Sequence, residues 1–111
     1  MRKDAKRARS PKQPPEVVEF AADVVHVGDC VQLMKMLPDG CSSLVIADPP
    51  YNLGKSFGKW KESRDVSEWL PWCKTWLTEC VRVMDDGGSI FVYGIHHYLC
   101  YIQVEIGREH V

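Results

Sequence analysis

Two consecutive prolines placed directly after an apolar run set the hardest limit on how this chain folds. Ser43-Leu44-Val45-Ile46-Ala47 is too short for a helix and reads as a buried strand. Pro49 and Pro50 lack the amide donor a sheet ladder requires, so the strand must break at Asp48. An acid is thereby fixed at the carboxyl end of a strand.

The rest of the chain alternates around that point. Ala22 to Val27 is a short β-branched run that predicts another buried strand, ended by Gly28-Asp29. Cys30 to Leu37 has apolar residues at helical spacing, closed by Pro38-Asp39-Gly40. Residues 52–64 are rich in Gly, Lys and Ser without periodicity and predict a loop. Val66 to Met84 places Trp69, Cys73, Trp76, Leu77 and Cys80 on one stripe of a long amphipathic helix, with Asp65 or Ser67 as its cap. Pro71 is tolerable there because it falls near the first turn. Asp85-Asp86-Gly87-Gly88 turns into a third strand over residues 89–94, and a last helix runs from His96 to Ile106, stopping at Gly107. Alternating units with apolar strands predict an α/β fold with a mostly parallel sheet, helices covering both faces.

Charge and cysteine usage narrow the class. The chain has 111 residues and a formal net charge of -1. Residues 1–12 hold Arg2, Lys3, Lys6, Arg7, Arg9 and Lys12 against Asp4, a local charge of +5 that leaves -6 for the remainder. Residues 1–16 therefore read as a basic, disordered arm ahead of an ordered domain at 17–111; such an arm holds a polyanion such as DNA or serves as a solubilising tail. The five cysteines, Cys30, Cys41, Cys73, Cys80 and Cys100, are odd in number, widely spaced and free of any C-x-x-C pair. Reduced thiols are expected, with Cys73 and Cys80 filling a core and no metal site. No apolar run is long enough to span a bilayer and no signal-peptide stretch is present, so a cytoplasmic protein is the default.

The chemistry concentrates at two strand ends. In open parallel α/β sheets, ligands bind beyond the carboxyl ends of the strands, where Asp29 and Asp48 both fall. By composition alone, Asp48-Pro49-Pro50-Tyr51 should occur in roughly one in two thousand chains of this length. An exocyclic amino nitrogen is a poor nucleophile because its lone pair is delocalised into the ring. Two fixed acceptors, the Asp48 carboxylate and the Pro49 carbonyl, would draw it toward a tetrahedral geometry, and Pro50 helps to hold them rigid. Tyr51 offers a face on which an extruded base stacks; on that reading Tyr51→Ala weakens base capture, while Tyr51→Phe is tolerated because only the ring matters.

A strand ending in these four residues resembles the catalytic motif of the amino-methyltransferases that act on exocyclic nitrogens of bases. The resemblance implies a partial Rossmann-like, S-adenosylmethionine-dependent methyltransferase fold, with double-stranded DNA as partner and adenine N6 as the methylated atom. Asp at the first motif position favours adenine; cytosine N4 stays open. Val27-Gly28-Asp29-Cys30 looks like the segment preceding that motif, which implies that Asp29 accepts a hydrogen bond from the cofactor's adenine amino group, with the Cys30 N–H as a second contact. Helix capping by Asp29 is the competing and compatible role. Lys55, Lys59 and Lys61, interleaved with Phe57 and Trp60, are candidates for phosphate and base contacts beside the motif, or simply a solvated loop. Trp69, Trp72 and Trp76 read as core or interface packing.

Residues 17–111 depart from the family pattern in one respect. The glycine-rich turn that cradles the cofactor's methionine portion is missing. The early position of Asp48 resembles the permuted β group, in which that turn and the target-recognition region follow downstream. The expectation is a truncated or split catalytic half, acting with a missing C-terminal half or as a homodimer, near the nucleoid. An RNA guanine-N2 methyltransferase and a non-catalytic remnant or partner subunit are the alternatives. Whether it serves a restriction–modification system or acts alone is left open by these residues.

Overall fold

A computed structural model describes residues 21–61 and 65–110; the basic arm and the start of the predicted ordered domain at Val17 lie outside them. Along these residues run α1 (Cys30–Lys35), β1 (Ser42–Ala47), β2 (Ser56–Phe57), β3 (Trp60–Lys61), α2 (Val66–Val83), β4 (Met84–Val92) and α3 (His96–His110). The molecule is α/β: β1 and β4 pair in parallel, and α2 lies within the crossover between them.

Local chemistry explains the helix boundaries. The Asp29 carboxylate caps α1, its Oδ1 accepting from the amides of Val31 at 2.9 Å and Gln32 at 3.2 Å. Asp65 caps α2 by accepting from the amide and hydroxyl of Ser67, bonds that lower its pKa below the usual carboxylate value. Pro71 sits in the second turn rather than the first. The helix runs through it, giving up the bond an amide at 71 would make to the carbonyl of Ser67.

The core lies between α2, α3 and one face of the sheet. Trp69, Cys73, Trp76, Leu77, Cys80 and Ile102 are buried together, and Val45, Ala47, Ile90 and Val92 pack against them. Arg82 ties α1 to this frame: its guanidinium donates to the carbonyls of Met34 and Leu37 and to the carboxylates of Asp39 and Glu79. Burial works against its charge, but Glu79 and Asp39 outweigh that and raise the Arg82 pKa.

Several expectations are corrected. Ala22–Val27 forms no strand; Asp23 takes a left-handed φ of 60°, and Val25 and Val27 are 89% and 96% exposed. A β-branched run without a neighbouring strand has neither a ladder nor a surface to bury itself against. Among the described residues, helices cover one face of β1 and β4; Leu44, Ile46, Phe91 and Tyr93 stand exposed on the other. Residues 85–88 do not precede the strand but bulge out of it, because Ser42 pairs with Met84 whereas Leu44 pairs with Ser89. A Cβ at Gly88 would sit 2.5 Å from Met84 Cγ and 3.1 Å from the Ser43 carbonyl, so the bulge needs a glycine there. Gly107 does not end α3, which continues to His110; a Cβ there would point into open space, and an exposed helical glycine costs only about 1 kcal/mol.

Within the segment expected to be a loop, residues 56–61 form strands. β2 and β3 form a small antiparallel hairpin in which Phe57 pairs with Trp60, leaving Gly58-Lys59 as the turn. Gly58 has φ +60°, the left-handed conformation that a first central hairpin residue adopts without strain.

Candidate active site

The ladder carries Asp48 to a defined place. Ala47 pairs with Val92, and the Tyr93 amide donates to the Ala47 carbonyl at 2.9 Å, so pairing reaches the residue immediately before the acid. Asp48 itself is exposed at the strand end. The backs of Pro49, Pro50 and Tyr51 rest on Trp69, Tyr98 and Ile102 with a void of only about 10 Å³ between them. That space is room for one water at most, so the motif lies close over α2 and α3. Trp69 and Tyr98 are themselves in ring contact, with centroids 5.1 Å apart. Gly94 permits the approach of α3, since a Cβ there would lie 2.8 Å from Leu99 Cδ2.

The motif closes on itself. The Tyr51 hydroxyl donates to Asp48 Oδ1 at 2.5 Å, the length of a charge-assisted O–H···O⁻ bond. This bond, followed by partial desolvation and the nearby charges of Asp48 and Tyr93, pushes the Tyr51 phenol above its ordinary pKa. The sequence reading used the ring of Tyr51 and left its hydroxyl idle; the hydroxyl is engaged. Asn52, also passed over, is buried at 1% exposure with φ 61°, a left-handed turn that Asn tolerates well. The polar residue following the two prolines and the tyrosine was the available signal for that turn.

Asp29 and Cys30 stand elsewhere. They line an open groove of about 780 Å³ between α1 and α2, together with Gln32, Lys35, Trp72 and Trp76. None of Asp48, Pro49, Pro50 or Tyr51 lines that groove. The capping role of Asp29 is observed directly.

Lys59 and Lys61 are exposed on the hairpin that begins five residues after Tyr51, and Lys55 is exposed immediately before it. The side chains of Phe57 and Trp60 lie outside the described residues. Cys73 and Cys80 are buried in the core as expected; burial pushes their thiols up to about 12 and about 11 respectively. Cys30, Cys41 and Cys100 are exposed, and all five thiols are free. Trp69 and Trp76 are buried and Trp72 half-buried, in keeping with a packing stripe. Among the described residues no three His, Cys, Asp or Glu side chains come together as a metal site would require, and no helix is long and apolar enough to cross a membrane.

A parallel strand delivering an exposed acid, two prolines and a tyrosine onto a packed rim defines a recognisable class of site. Residues 42–107 match the DNA methylase family of N6/N4 methyltransferases, from the first residue of β1 well into α3, and the chain belongs to that family. It is 36% identical over 86 residues to the type II methyltransferase M.BamHI of Bacillus amyloliquefaciens, covering 77% of this chain and 20% of that protein. It is 34% identical over 74 residues to the type II methyltransferase M.HpaI of Haemophilus parainfluenzae, covering 67% of this chain and 24% of that one. The DNA adenine methyltransferase YhdJ of Escherichia coli is 28% identical over 93 residues, 84% of this chain and 31% of YhdJ. The chain thus spans between a fifth and a third of the length of these relatives.

Proposed function

We propose that this chain carries the base-activating part of a DNA methyltransferase that moves a methyl group from S-adenosylmethionine to adenine N6. The observation that carries the reading is Asp48, exposed at the end of β1 on a rim packed against α2 and α3. In the reaction, Asp48 and the Pro49 carbonyl accept hydrogen bonds from the amino group and localise the nitrogen lone pair; the nitrogen attacks the methyl carbon, and the methylated nitrogen then releases one proton to solvent. Pro50 and Pro49 keep these acceptors in place before the base arrives, where preorganised polar groups act most strongly. The Tyr51 ring supplies the surface on which the extruded base stacks.

S-adenosylmethionine, when bound, supplies an electrophilic methyl on a sulfonium whose sulfur leaves with the bonding electron pair. Asp29 and Cys30 fit its adenosine portion: Asp29 caps α1 through Oδ1 alone, and the groove it lines falls in the 300–1,000 Å³ range typical of small-molecule sites. The Asp29 carboxylate would accept from the adenine amino group and the Cys30 amide would donate to the ring. On this reading residues 17–111 are part of a Rossmann-like catalytic domain acting in the cytoplasm. The basic residues 1–12 and Lys55, Lys59 and Lys61 hold the duplex through its phosphates. Cytosine N4 is the second reading, because one acid-and-carbonyl pair serves either amino group.

Product analysis separates the two. The full-length protein is incubated with duplex DNA and methyl-labelled S-adenosylmethionine, and the DNA is digested to nucleosides. Label in N6-methyldeoxyadenosine is expected. Label in N4-methyldeoxycytidine overturns the choice of base, and unlabelled DNA overturns the reading itself.

A further inference from the structure

The proposed chemistry assigns Tyr51 only a flat ring, and Phe would serve that equally well. The bond from its hydroxyl to Asp48 spans three residues and closes over two prolines. Each proline locks its φ near -65°, so the separation between the ends of this short arc has little freedom. Below the arc, Trp69, Tyr98 and Ile102 leave room for one water at most. Beyond it, the buried Asn52 in its left-handed turn anchors the far end. The torsions of the Asp48 and Tyr51 side chains stay soft, and one hydrogen bond ties the two together.

We propose that the Tyr51 hydroxyl is a positioning group: by holding Asp48 Oδ1 it turns the carboxylate so that Oδ2 faces the incoming amino group, and it sets the plane of the ring against which the base stacks. This rests on Asp48 being the amino-group acceptor. It replaces the expectation that Tyr51→Phe is tolerated. The bond engages a single oxygen of the carboxylate, so a donor from the base need not displace it. The exposed setting of Asp48 matters here, because an exposed carboxylate without a local donor samples its rotamers freely and pays for order when substrate binds.

Two measurements test this, and only the second depends on methyl transfer. In the first, protein labelled with 13C at tyrosine Cζ is titrated by NMR, the Tyr51 signal being assigned by its loss in Tyr51→Phe. It is expected to titrate above the ordinary phenol value and to fall back toward it in Asp48→Ala. A Tyr51 titration that Asp48→Ala leaves unchanged overturns the bond and the proposal with it. In the second, steady-state methylation of duplex DNA by the full-length protein compares wild type with Tyr51→Phe. A kcat lowered by about tenfold at unchanged KM for DNA is expected, the order of effect of one hydrogen bond to a charged group. Equal or faster turnover by Tyr51→Phe means that the ring alone matters, and overturns the positioning role. If the wild type does not methylate DNA, the proposed function fails while the titration still decides whether Tyr51 holds Asp48.

Discussion

Asp48 and Asp29 are both strand-end acids in the sequence, yet they solve different local problems. Asp48 is held by a side chain three residues on, across a proline bridge. Asp29 is held by the first amides of the helix it starts. The prolines made Asp48 legible from sequence, because no other reading of an apolar run broken by two prolines leaves the acid anywhere but at a strand end. The hydroxyl of Tyr51 was not legible, since nothing in the residue types says which way a tyrosine turns. For Asp29 the two roles separate by substitution. Serine caps helices about as well as aspartate but carries no charge, so Asp29→Ser should leave Tm nearly unchanged, whereas Asp29→Ala should cost roughly 1 kcal/mol. Calorimetry of S-adenosylmethionine binding to the full-length protein then reads the remaining role. Weaker binding by Asp29→Ser at an unaltered Tm supports the cofactor contact, and unaltered binding removes Asp29 from the site.

At the scale of elements, α2 organises the molecule. Its apolar stripe was readable as a 3.6-residue pattern, and it buries Trp69, Cys73, Trp76, Leu77, Cys80 and Val83 as that pattern requires. What the pattern could not convey is how neighbouring elements meet it. The strand read at Ala22–Val27 fails because propensity without a ladder does not make a strand, and the hairpin at Ser56–Lys61 was hidden in residues that score as loop until Gly58 is seen as a turn. The two core thiols on α2 make a pH prediction. Burial raises both, Cys73 to about 12 and Cys80 to about 11, from an ordinary value of 9.0. The folded state therefore favours the protonated thiols. Their contribution is complete below pH 9 and is lost as pH rises through 9 toward 12, where the unfolded chain gains by ionising. Tm measured from pH 8 to 11 should fall less steeply for the Cys73→Ala/Cys80→Ala protein than for wild type, from a lower start because two core side chains are trimmed. Parallel slopes would show that these thiols do not feel the fold.

At the scale of the whole molecule, the described residues build a parallel strand pair with helices on one side and an apolar face on the other, with a small hairpin beside the motif. The sequence suggested strands buried on both faces, and the composition of β1 and β4 fits that; the helices of the described residues all gather on the face lined by Val45, Ala47, Ile90 and Val92. Leu44, Ile46 and Phe91, at 49%, 63% and 60% exposure, are left facing outward. Surface of this kind binds apolar probes. The purified chain should enhance the fluorescence of anilinonaphthalene sulfonate, and Ile46→Lys with Phe91→Lys should reduce that enhancement; equal fluorescence from both proteins would show that this face is covered in solution. The proposed reaction nonetheless depends on the rim rather than the face, and on one carboxylate there. Single-turnover methylation of duplex DNA by full-length Asp48→Ala, alongside an equilibrium measurement of its DNA binding, tests it most directly. The expected result is a rate lower by roughly 10²–10³-fold or more, the scale of losing a preorganised electrostatic contact, with DNA affinity close to wild type. Methyl transfer at the wild-type rate without the Asp48 carboxylate would contradict the account.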